Sequence, residues 1–124
     1  MEKIFTQNAP EAIGPYSQAI RTGNLLFTSG QIPIDPAAGD ITAQGIEEQT
    51  HQICRNLGEV LKAAGLSFDD VVKTTCFLTN MSYFGAFNKV YGEYFTSKPA
   101  RSCVEVSKLP RGVLAEIEII AEYK

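Results

Sequence analysis

The run from Val113 to Tyr123, VLAEIEIIAEY, constrains this chain most. Ala115, Ile117, Ile119 and Ala121 fall on one side of an extended backbone, and Glu116, Glu118, Ile120 and Glu122 on the other. A strand patterned in this way presses its apolar side against a covering layer, so the fold requires a sheet and something packed on it.

The covering layer is legible upstream. From about Thr42 to Ala64, apolar Ile46, Ile53, Leu57, Val60, Leu61 and Ala64 recur at spacings of three, four and seven, which is one face of a helix, and Gly65 follows where a left-handed cap would end it. DVVKTTCFLT is rich in β-branched and aromatic residues and reads as a strand. After it, Asn80 or Ser82 can cap a second helix whose stripe is Phe84, Phe87, Tyr91 and Tyr94. Near the N-terminus, KIFT and SQAIRTGNLLFTSG read as short strands, with TGN as a hairpin turn, and GQIPIDPAAGD reads as a loop. The expected fold is α+β, a sheet with two helices on one face, in one domain spanning residues 1–124; a chain of this length buries roughly 65% of the surface it would expose unfolded.

The last two runs, 101–107 and 113–123, are joined by KLPRG, short enough for antiparallel neighbours. If Val104 and Val106 share a face with Ala115, Ile117 and Ile119, then Arg101, Cys103 and Glu105 share the opposite face with Glu116 and Glu118. That face also carries Ile120 and Phe77, too apolar for free water, so a closed homo-oligomer is expected to bury it.

Other classes are disfavoured. A net charge of −3 supplies no field for gathering phosphates, which argues against a nucleic-acid partner. Cys54, Cys76 and Cys103 match neither a redox pair nor a zinc knuckle and are expected as free thiols in a reducing compartment, the first two in the core. The N-terminal residues lack a signal-peptide pattern and no run reaches the roughly 18 apolar residues of a membrane span, so a cytoplasmic protein without a membrane partner is expected. The single histidine, His51, falls towards the exposed side of the first helix and cannot build a multi-histidine metal site; neither a metal nor another cofactor is expected.

Six colinear motifs, IGPYSQA, FTSGQIP, VVKTTCFLTNM, NKVYGEYF, KPARSCVEVSKLP and EIEIIA, closely resemble the RidA/YjgF superfamily, specifically its RidA-type imine and enamine deaminases, over nearly the whole chain. The resemblance implies a chorismate-mutase-like (bacillus-type) α+β fold with a mixed sheet, a homotrimer, and an active site at each subunit interface. It implies that Arg101 holds the substrate carboxylate and that Glu116 holds and activates a water, with Tyr16, Ser29, Gly30, Phe84, Asn88 and Cys103 lining the pocket. The implied reaction is cofactor-free hydrolysis of 2-aminoacrylate, 2-iminopropanoate or 2-iminobutanoate, released by pyridoxal-phosphate dehydratases, to 2-oxo acids and ammonia. Two other readings compete with it: a trimer that senses a small carboxylate or binds a protein, and a translation inhibitor or endoribonuclease. The acidic balance and the lack of a histidine pair weigh against the ribonuclease.

Overall fold

A computed structural model describes all residues, 1–124. In chain order the elements are β1 (Glu2–Ile4), β2 (Ala19–Thr22), β3 (Leu25–Thr28), β4 (Ile34–Asp35), β5 (Asp40–Ile41), α1 (Gly45–Ala63), β6 (Val71–Leu78), α2 (Phe84–Tyr94), β7 (Ala100–Glu105) and β8 (Ala115–Glu122). Six strands form one mixed sheet in the order β1-β2-β3-β8-β6-β7. Every neighbouring pair in it is antiparallel except β6 and β7.

The alternation in β8 does what it dictates. Ala115, Ile117, Ile119 and Ala121 are all buried and stand beside Leu78, Cys76, Thr74 and Val71 of β6. Against them α1 places Ile53, Leu57, Val60 and Leu61, and α2 adds Phe87, each without exposed surface. Cys54 and Cys76 belong to this core as expected. Leu57→Ala is expected to cost about 3 kcal/mol, transfer and cavity terms together, read as a lower denaturant midpoint at unchanged slope.

Helix ends follow local chemistry. The chain stays extended through Gln44, and Gly45, at φ +82°, turns it into α1, three residues later than Thr42. Glu48 accepts the Gln44 N–H at 3.0 Å, and Glu47 and Glu48 suit the positive end of the helix. At the other end Gly65, φ +79°, donates to Lys62 O at 3.0 Å and Leu66 to Leu61 O at 2.8 Å, closing a Schellman motif. Asn80 accepts the Ser82 N–H at 2.8 Å and starts the 3-10 turn Met81–Tyr83 that leads into α2.

Four expectations are corrected. GQIPIDPAAGD contains a small hairpin, β4 with β5, and Asn56 of α1 holds it by donating to the carbonyls of Ile32 and Ile34 at 3.3 and 2.9 Å. His51 is not merely solvated: its Nδ1 lies 3.0 Å from the Tyr94 hydroxyl, tying α1 to α2. The last two strands are not neighbours, because β6 runs between them. The chain from 106 to 114 crosses two strand spacings, roughly 10 Å, and the 3-10 turn Pro110–Gly112 within it is anchored by Arg111 to Asp40 at 2.5 Å.

The fourth correction follows from the third. Pairing with β6 sets Arg101 beside Thr74, Cys103 beside Cys76, and Val104 beside Phe77, which stands beside Glu116. Arg101, Cys103 and Glu105 therefore lie on the helix-covered face, while Val104 lies with Phe77 and Glu116 on the other. No element of the chain covers that second face, where Phe27 and Val104 remain 40% and 45% exposed in company with Ile20, Phe77 and Ile120.

Candidate active site

On the helix-covered face, the edge strand β7 and α2 hold Arg101 between them. Its Nη1 donates to Asn88 Oδ1 at 2.6 Å, and its guanidinium carbon sits 4.8 Å from the centre of the Tyr91 ring and 5.4 Å from that of Phe84. Phe84, Asn88 and Tyr91 are spaced by four and three along α2, so one helix face supplies all three contacts. Tyr91 is itself fixed, its hydroxyl 2.8 Å from Thr74 Oγ1 and its ring stacked on Phe95 at 4.3 Å. The sequence stripe marks Tyr91 only as core; its helical phase with Asn88 is the signal that it also forms a shelf for the arginine.

Arg111 pairs with Asp40, and His51 lies 3.9 Å from Glu93, so Arg101 is oriented yet has no carboxylate of its own. A planar guanidinium held in this state suits two-pronged capture of an incoming carboxylate. Cys103 follows it inward, and burial raises its thiol while Arg101 acts the other way. Beside it, burial pushes the Cys76 thiol up to about 12. Cys76 is fully buried in the core, and a Cys103 thiol raised in this way is poorly suited to act as a thiolate nucleophile.

The remaining candidates gather on the other side. Glu116 rests against Gly30 so closely that a Cβ there would stand 2.8 Å from Glu116 Cδ, so a larger residue would push the carboxylate from this place. Burial, reinforced by repulsion from Glu118, raises the Glu116 carboxyl above its ordinary value. Ser29 adjoins Gly30, donating its hydroxyl to Ser17 O at 2.6 Å and its N–H to Gln18 O at 2.9 Å. Tyr16 stays 53% exposed, its N–H turned back to Gly14 O at 3.0 Å. Buried Gln18 pins this segment with one amide, accepting from Thr6 N and donating to the carbonyls of Thr6 and Pro10. Tyr16, Ser17, Ile20 and Ser29 line an open cleft of about 560 Å³.

The eight candidates thus form two groups, Arg101, Asn88, Phe84 and Cys103 on one side of the sheet and Glu116, Gly30, Ser29 and Tyr16 on the other. The expectation that Arg101 and Glu116 share a face is overturned. The cause is parity: β6 intervenes, and its register matches Glu116 with Val104, one residue out of phase with Arg101 and Cys103. One chain thus holds an oriented guanidinium without a carboxylate partner and a desolvated carboxyl group, with the sheet between them.

Comparison with known proteins bears on the family and the fold. The family model described as Endoribonuclease L-PSP matches residues 6–123. A RutC family protein of Pyrococcus horikoshii is 57% identical over 99% of this chain and 98% of its own length. The 2-iminobutanoate/2-iminopropanoate deaminase of Mus musculus is 49% identical over 95% of this chain and 88% of its own. Among solved structures, E. coli TdcF with bound serine has a TM-score of 0.95 and 42% identity, covering 100% of both chains. Two helices on a mixed sheet, motifs in one order from end to end, and relatives matched over nearly their full length establish that this chain belongs to the Endoribonuclease L-PSP family, the RidA/YjgF family.

Proposed function

We propose that the protein is a hydrolytic deaminase of small 2-imino and 2-enamino acids, working as a homotrimer in which each site takes Arg101, Asn88, Phe84 and Cys103 from one subunit and Glu116, Gly30, Ser29 and Tyr16 from the next. The observation that carries this reading is the unpaired, pre-oriented Arg101 on one face and the desolvated Glu116 on the other. Half-sites facing opposite ways become complete sites when subunits join head to tail, and a ring closes such contacts without leftovers. The apolar patch of Phe27, Phe77, Val104 and Ile120 supports burial of the second face on assembly. The deaminase name of the mouse relative and the serine bound to TdcF support a small amino-acid-derived ligand.

The chemistry needs no cofactor, because the imine carbon is already an electrophile. Arg101 grips the substrate carboxylate and fixes where C2 lies, removing much of the entropic barrier. A water held by Glu116 loses a proton to that carboxylate as its oxygen bonds to C2 of the protonated imine and the C=N π pair settles on nitrogen, giving a neutral carbinolamine. Glu116 then returns the proton to nitrogen, the C–N bond breaks as the hydroxyl oxygen forms the carbonyl and gives its proton through Glu116 to the departing ammonia, and a 2-oxo acid and ammonium leave. An enamine first takes a proton at C3, which makes the same imine. A carboxyl raised towards neutrality serves both as acceptor and as donor.

The test couples a threonine dehydratase to the protein and follows 2-oxobutanoate; faster release with this protein is expected, and an unchanged rate ends the proposal. The rate should also rise with pH along a limb set by Glu116, above the ordinary carboxylate range. Glu118→Gln removes the repulsion that helps hold Glu116 up, so the limb should move to lower pH in a pH–kcat/KM profile. A carboxyl raised in the folded state favours folding most when protonated, and that contribution is lost as pH rises through the folded value. Glu116→Gln is therefore expected to abolish turnover at neutral pH without lowering Tm.

A further inference from the structure

Resting on the reading that Arg101 holds a substrate carboxylate, we infer that the cleft between the end of α2 and the start of β7 accepts a second one, so that 2-imino dicarboxylates are substrates and Lys98 engages the distal group.

The cleft adjoins Arg101, measures about 550 Å³, and is lined chiefly by Tyr91, Phe95, Thr96, Lys98 and Arg101. Its charged lining residues are cations, Lys98 and Arg101, and neither is paired with a carboxylate of the chain. Two uncompensated positive groups on one cleft, in a protein of net charge −3, favour a ligand with two negative ends. The carbon chain between those ends has an apolar floor in the stacked rings of Tyr91 and Phe95.

The main chain fixes the root of Lys98. Its φ of +56° lies in the left-handed region, its N–H donates to Phe95 O at 3.2 Å, and Pro99 follows. A side-chain-bearing residue is costly in that conformation, where glycine or asparagine is the easier choice. Two residues, Pro99 and Ala100, separate Lys98 from Arg101, a Cα span of at most about 11 Å, within which two long side chains can share a four- or five-carbon diacid. The same charges repel imines derived from basic amino acids.

Binding of non-reacting acids tests the pocket without turnover. Succinate should bind the wild-type protein at least about fivefold more tightly than butyrate, the scale of one partly exposed charge-assisted contact, measured by calorimetry. Lys98→Met should erase that preference, and so should Lys98→Gly, which removes the ammonium while suiting the backbone and guards against a folding artefact. Equal binding of the two acids by wild type, or a preference surviving both substitutions, overturns the inference. In turnover, with imines made in situ by oxidation of aspartate and of alanine, Lys98→Met should lower the dicarboxylate-to-monocarboxylate ratio of kcat/KM about fivefold. An unchanged ratio counts against the pocket. If neither imine is hydrolysed while the succinate preference holds, the deaminase reading falls and the pocket stands.

Discussion

Arg101→Met is expected to lower kcat/KM for 2-iminobutanoate by about 10²- to 10³-fold, the loss that follows when a two-pronged contact worth about 3 to 4 kcal/mol disappears. Both kinetic parameters should suffer. KM rises because the carboxylate loses its partner, and kcat falls because C2 no longer sits at a fixed place before the water. Arg101→Lys separates charge from shape: an ammonium keeps the attraction but lacks the planar fork, so it should recover only part of the loss. Folding should barely respond. Arg101 is only partly buried and has no ion pair, and Asn88, its hydrogen-bond partner, is itself only partly buried and can turn to water. A Tm within a few degrees of wild type, together with the kinetic collapse, is the expected signature in a dehydratase-coupled assay with parallel calorimetry. Full activity in Arg101→Met would place the chemistry elsewhere.

Much of this architecture could be read from residue order, and what could not has a definite physical origin. The alternation of β8 and the three-four spacing of α1 are local patterns, and each produced its element with the apolar side inward. Strand order is not local. The KLPRG linker suits a tight connection, yet the chain uses it to pass over β6, the strand whose Thr74, Cys76 and Leu78 complete the buried face. Inserting one strand changed the parity between β7 and β8 and sent Arg101 and Glu116 to opposite sides. The motifs that carried the family resemblance named the candidates without regard to which face each occupies. Tyr91 shows the complementary failure: its hydrophobic phase was evident, while its service to Arg101 emerged only when β7 was seen against α2.

That separation makes the most demanding prediction. Arg101→Met and Glu116→Gln proteins should each be nearly inactive, but when they are unfolded together and refolded as a mixture, activity should return. In a head-to-tail ring each site draws its arginine half from one subunit and its glutamate half from the next. With equal amounts of the two variants and random assembly, an intact arginine half occurs in about one half of sites, and so does an intact glutamate half, so roughly one quarter of sites should be whole. Every ring that contains both variants has a boundary where the two intact halves meet. Sites built within single chains would yield no recovery at any mixing ratio, because each chain lacks one group. Recovery near one quarter, rising and falling symmetrically about the equal mixture, requires that two copies share each site. The reason to expect it lies in the sheet, whose β-strands stand between the guanidinium and the carboxylate of any one chain.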